Sequence, residues 1–165
     1  MSRDRLSPLE LEAWGGLLRS HTVVYRELEH RLVQRQGISI STYDVLLRLA
    51  WAESGGLRMS ELARQVIMTT GGLTRLADRL ERDGLITRVR SADDGRGYVA
   101  QLTQAGRDVL RRSNRQHLAD VRELFLDHVT QDELEVLARV WRRVKDARAG
   151  GRVGRDLPAP DTTSR

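Results

Sequence analysis

Between Leu85 and Leu102 two short runs, "LITRVR" and "GYVAQL", show partial period-two patterning and are joined by "SADDGR", in which Asp94-Gly95 is a favoured hairpin dipeptide. Elsewhere the patterned stretches repeat their apolar residues at spacings of three and four. One β-hairpin set into a series of amphipathic helices leaves few architectures open. The expectation is a mainly α fold with a small β-hairpin wing, whose tip carries Asp94 and Arg96.

The helices can be placed by their stripes and punctuation. From Pro8 to the stop at Gly37, Trp14, Leu17, Leu18, Val24, Tyr25, Leu28 and Leu32 mark one long helix. Ser41 with Asp44 resembles a capping box for a second helix bearing Val45, Leu46, Leu49 and Ala50, broken by Gly55 and Gly56. Ser60 can cap a third, short helix with Leu62, Ala63 and Val66. A turn through Ile67 to Thr69 leads into "TTGGLTRLADRLERDGLI". There Leu73, Leu76, Ala77 and Leu80 share one face, Thr70, Thr74, Arg75 and Arg79 share another, and Gly84 ends the segment. After the hairpin, Thr103 opens a helix whose stripe of Leu110, His117, Leu118, Val121, Leu124, Phe125 and His128 runs to Val129. Thr130 with Glu133 caps a last helix carrying Leu134, Leu137, Ala138, Trp141 and Val144. Residues 150–165 lose all periodicity and read as a disordered tail.

Composition excludes several classes of function. The chain has no cysteine, which removes disulfides, thiolate nucleophiles and Cys-ligated metals. It has no Gly-x-Ser-x-Gly, no phosphate-binding Walker motif and no His-Glu-x-x-His, so it does not read as an enzyme, and no cofactor is expected. His21, His117 and His128 lie on apolar stripes, either as a ligand or metal cluster or as packed neighbours; none has close metal-ligand spacing, and no metal is expected. No signal peptide or membrane span is visible, and the expected location is the cytoplasm, with no membrane partner. The 165 residues carry net charge +5, nearly all of the positive charge as arginine, which suits a polyanion partner or simply a solvated surface.

Two helices a few residues apart followed by a hairpin form a winged helix-turn-helix, in which the second helix enters the major groove and the wing lies beside the backbone. On that reading Ser60, Thr69, Thr70, Gly71, Gly72, Thr74, Arg75 and Arg79 face DNA, with Arg75 placed for bidentate contact to guanine. Arg88 and Arg90, two apart on one strand, can meet phosphates. Asp94 either orients Arg96 toward a narrow minor groove or closes the turn with it as a surface ion pair. Glycine at 71 and 72 weakens a helix start, which points to a close backbone approach to DNA or to a neighbouring helix, or to an uncommitted helix end. Trp14, His21, Tyr25, Trp51 and His117 are candidates for a ligand pocket; Phe125 could also line it, and the bulky ones are equally core residues. A long first helix on so small a core would expose apolar surface, so pairing with a second copy is expected.

The run from Asp94 to Thr103 followed by Gly106 resembles the wing signature of the MarR family of transcriptional regulators: Asp-x-Arg, a strand, then Leu-Thr-x-x-Gly. "LTRLADRLERDGLITR" is similar to that family's recognition helix and its exit into the wing, and "MSELARQV" to the helix before it. The motifs cover about residues 40–106, and the flanking helices match by layout. Gly71-Gly72 departs from the Ser or Pro followed by polar residues common in the family. The resemblance implies a homodimer held by residues 6–36 and 104–149, with 38–103 as the DNA-binding region. It implies a ligand-responsive repressor on a pseudo-palindromic operator of double-stranded DNA, with a small lipophilic or phenolic effector. The alternative is a winged-helix protein-interaction module without specific DNA binding.

Overall fold

The computed structural model describes residues 5–66, 68–90 and 97–149. The first helix, α1 (Pro8–Gln36), opens on a reciprocal cap. The Glu10 N–H donates to the Ser7 hydroxyl at 3.3 Å and the Ser7 N–H to the Glu10 carboxylate at 2.7 Å. The helix ends where Gly37 turns left-handed, at φ 69°, and donates to the Val33 carbonyl.

The second helix, α2 (Ile40–Ala50), starts earlier than the Ser41-Asp44 pair predicts. Ser39 is the cap, accepting the Thr42 N–H at 3.1 Å, while the carboxylate of Glu29 on α1 takes the Ile40 N–H at 2.6 Å. Asp44 is instead paired with Arg48 one turn on. A side chain eleven residues upstream thus fixes the helix start, which a local motif cannot anticipate. Ser60 likewise lies inside α3 (Met59–Gln65): Arg58 holds the cap position and Glu61 takes its N–H at 3.0 Å. The recognition-helix segment is α4 (Thr70–Arg82), and Thr69, at the end of the expected turn, is its cap.

The hairpin strands are β2 (Ile86–Arg90) and β3 (Tyr98–Leu102), but the sheet has three strands. Leu57 and Arg58 form β1, which pairs antiparallel with β3, giving the order β1-β3-β2. Two residues are too few to show a period, so this strand was invisible to patterning. Gly56 leads into it, and a Cβ there would press on the Ala100 carbonyl.

Thr103 caps α5 (Gln104–Leu124), its hydroxyl accepting the Gly106 N–H at 3.0 Å and donating to the Gly84 carbonyl at 2.7 Å. The stripe predicted to continue unbroken to Val129 is interrupted. Phe125 leaves the helical region at φ −141°, a 3-10 turn spans Leu126–His128, and α6 (Gln131–Ala149) follows. One turn of either helix type presents the same side of the stripe, so the apolar pattern could not locate the break. Thr130 and Glu133 make the expected box at the start of α6.

The core sits in the winged lobe: Val45, Leu46 and Leu49 of α2, Leu62 and Val66 by α3, Leu73, Leu76, Ala77 and Leu80 of α4, and Ile86, Ala100 and Leu102 of the sheet are buried. Each large apolar side chain removed from water contributes about 1.5–3 kcal/mol. Leu32 of α1 and Leu110 of α5 join this core and anchor the two long helices to it. An ion cluster adds to that anchor: Asp120 of α5, 4% exposed, accepts from Arg31 at 3.0 Å and Arg35 at 2.8 Å, and Arg31 also reaches Glu123. No helix among the described residues is long and apolar enough to cross a membrane.

Candidate nucleic-acid interface

The four apolar residues of α4, Leu73, Leu76, Ala77 and Leu80, are at most 5% exposed, which turns the opposite face outward. On that face Gly71, Thr74, Arg75, Asp78 and Arg79 are exposed. The hydroxyl of Thr69 accepts the Gly72 N–H at 3.2 Å and holds the first turn. A Cβ built at Gly71 meets nothing within 4 Å, so no contact among the described residues requires glycine there. At Gly72 a Cβ would come within 3.1 Å of the Thr69 hydroxyl and crowd the cap. Thr70 opens the helix, and its side chain lies outside the described atoms.

Arg75 and Arg79 line a shallow groove together with Gly72, Met68 and Leu76 of their own segment and with Ser39 and Ser41 at the start of α2. The N-terminus of α2 and the outward face of α4 therefore present hydroxyls and guanidinium groups on one surface, the donor set that phosphate and guanine edges accept. Ser39 and Ser41 were not among the expected contacts. Their signal was Ser39 as a helix cap, masked by the better-looking box at Ser41. Ser60 is exposed in the first turn of α3.

In the wing, Arg88 and Arg90 differ in their surroundings. Arg90 is exposed and has no ion-pair partner among the described residues. Arg88 is held by α4: its Nε and Nη2 donate to one oxygen of Glu81 at 3.0 and 2.6 Å, and its backbone N–H to the other at 3.0 Å. Its Nη2 also lies 2.7 Å from Asp78. The Arg88 side chain holds the Glu81 carboxyl below the ordinary carboxylate range, against the upward push of burial. Asp94 and Arg96 lie outside the described residues.

The candidate pocket residues fall in separate places. His21 stacks on Tyr25 along α1, and Trp14 is exposed nearer the start of the same helix. Trp51 closes α2 with the Arg48 guanidinium 5.6 Å from its ring. His117 of α5 packs against Tyr43 of α2, ring centroids 4.5 Å apart, and the Tyr43 hydroxyl donates to Asn114 at 2.5 Å. Burial, and then the charge of Asp44, pushes the Tyr43 phenol up to about 12, so it remains a donor. His21 and Phe125 are the candidates that line the apolar cavity of about 520 Å³ between α1 and α6, with Leu17, Val24, Leu137 and Trp141. Among the described residues no group of His, Asp or Glu is arranged to hold a metal ion.

The arrangement has known counterparts. The family model described as MarR family matches residues 38–98. An uncharacterized HTH-type transcriptional regulator of Bacillus cereus is 29% identical over 131 residues, covering 79% of this chain and 85% of that protein. The crystal structure of AbsC, a MarR family transcriptional regulator from Streptomyces coelicolor, superposes with a TM-score of 0.83 at 28% identity, over 88% of this chain and 98% of that one. A second Streptomyces coelicolor regulator of that family, solved in complex with DNA, gives a TM-score of 0.83 at 29% identity, over 88% and 91% of the two chains. Sequence, helix-turn-helix, wing and relatives agree: residues 38–98 match the MarR family, and along most of its length the chain is similar to transcriptional regulators of that family.

Proposed function

We propose that the chain is a cytoplasmic homodimer that represses transcription from a pseudo-palindromic operator and releases it on binding a small lipophilic or phenolic effector. The observation that carries the DNA-reading part is the outward face of α4. Exposed Arg75 and Arg79 stand beside the uncrowded Gly71 backbone and across a groove from Ser39 and Ser41. In this reading Arg75 contacts guanine, Gly71 lets the backbone approach, Thr69, Thr70, Thr74 and Ser60 add polar contacts, and Arg90 meets phosphate. Asp94 orients Arg96 at the wing tip for the minor groove.

Residues 38–103 form the reader and residues 6–36 with 104–149 the dimer region. Support for the second assignment lies in apolar side chains left in water: Leu9 is 75% exposed, Trp14 55%, Trp141 43% and Val144 53%. The apolar cavity between α1 and α6 is the space available to an effector in one chain. An effector acts by favouring a dimer in which the two α4 helices are no longer one DNA turn apart.

Selection of random duplex DNA on the purified protein, at physiological salt with competitor, tests the reading. The expected result is a palindromic consensus with half-sites about one turn, 10–10.5 base pairs, apart. A retained pool identical to the input would leave a protein-interaction module as the better description. An operator-binding curve unmoved by every small molecule that binds the protein would remove the effector part.

A further inference from the structure

Arg88 reads from the sequence as a phosphate contact, and the structure gives it different work. We infer that Arg88 is a positioning residue that locks the wing to the recognition helix through Glu81 and Asp78, and that it does not bind DNA itself. The inference rests on α4 being the DNA-reading helix.

Three observations converge on it. First, β2 has β3 on one side only, and on its open side the Arg88 N–H is taken by the Glu81 carboxylate at 3.0 Å. A side chain of α4 therefore stands where a further strand would, and ties backbone as well as side chain. Second, the same carboxylate receives Nε and Nη2 of Arg88, so the strand is held by three hydrogen bonds to one group seven residues away. Two charge-assisted bonds from the guanidinium to one oxygen, with the backbone N–H on the other, fix geometry as well as adding energy. Third, Nη2 also meets Asp78, so two carboxylates surround one guanidinium and the cluster carries net negative charge, the wrong sign for a phosphate ligand. Arg90, two residues on, is exposed without such partners among the described residues and is the phosphate candidate of the pair.

The consequence for binding is geometric. Helix and wing must reach neighbouring parts of one duplex together, and the connection between them, Asp83 to Leu85, is short and turns at Gly84 with φ 70°. The Glu81 to Arg88 link removes the swing that such a turn would allow.

The two roles predict opposite signs for one substitution. Glu81→Ala removes a negative charge near DNA and frees Arg88. If Arg88 were a phosphate ligand, operator affinity would rise. If it is the latch, affinity falls, by roughly tenfold. The measurement is operator affinity over a salt series for the wild type, Glu81→Ala, Arg88→Gln, the double variant and Arg90→Gln, each confirmed folded by its thermal transition. The latch gives a double variant no weaker than either single one, and an Arg88→Gln salt slope equal to wild type, whereas Arg90→Gln lowers the slope by about one. Amide exchange at Arg88 gives a readout free of DNA, and it accelerates in Glu81→Ala. Tighter binding by Glu81→Ala, or a slope lowered by Arg88→Gln, would overturn the inference. Failure of the wild type to select any duplex would instead overturn the DNA-reading role of α4, and the latch's purpose with it.

Discussion

Arg75 and Gly71 sit a turn apart on the same exposed face, and their substitutions separate recognition from stability. Arg75→Ala is expected to weaken operator binding by about 1–3 kcal/mol and to relax preference at a single base position, as read by affinity for a panel of operator variants. Gly71→Ala should do two things at once. It raises the thermal midpoint, because alanine in a helix is better than glycine by about 1 kcal/mol and its Cβ meets nothing among the described residues. It also lowers DNA affinity if backbone and duplex meet there; an alanine variant binding at full strength would return the glycine to a tolerated helix start. Gly106 is the contrasting case: a Cβ there is driven into the Leu85 carbonyl, so Gly106→Ala should destabilise by about 1–3 kcal/mol in urea unfolding. The exposed face of α4 was legible because four buried residues on one side dictate what the other exposes. Arg88 was not, since its partners lie across a turn and on another element, and a strand pattern reports which side a residue faces but not what meets it.

At the level of elements, the joint between α2 and α5 titrates. His117 is half-buried against Tyr43, with its Nδ1 buried and without a partner among the described residues, and burial lowers its pKa despite the opposing influence of Asp120. The unfolded chain then takes up its proton first on acidification, so this group costs nothing well above pH 6.5 and lowers stability progressively below it. Burial pushes the Asp120 carboxyl up, but hydrogen bonds from Arg31, Arg35 and Gln116 outweigh it and leave the group below its ordinary value. Its contribution is lost only in the lower carboxylate range, so urea unfolding between about pH 5 and 7 isolates the histidine. His117→Phe should flatten the stability profile over that interval, and an unchanged slope would exclude this source. Most helices could be read from sequence because caps such as Thr103 and Thr130 and the stop at Gly37 act within their own turn. The errors share a cause. Glu29 setting the start of α2, and the pairing of β1 with β3, are contacts distant in sequence, and neither leaves a local pattern.

For the whole molecule, the exposed apolar faces of α1 and α6 are expected to close against a second copy. Trp141→Asp should therefore convert the protein to monomers in light scattering and cost operator affinity on the order of 100-fold, the scale gained when two sites engage together. A Trp141→Asp protein that remains dimeric would move the interface elsewhere. The two-residue strand β1 also bears on how the chain is made. Leu57 finds its partner at Ala100, far along the chain, with Gly56 tucked against β3. Such a closure forms late, after local helices. During synthesis the reading helix is complete well before the strand that shuts its lobe has emerged. A chain ending before Leu102 should then show nascent helix but no cooperative unfolding transition, and a ribosome-bound intermediate of that length exposes its leucines to chaperones rather than its arginines to DNA.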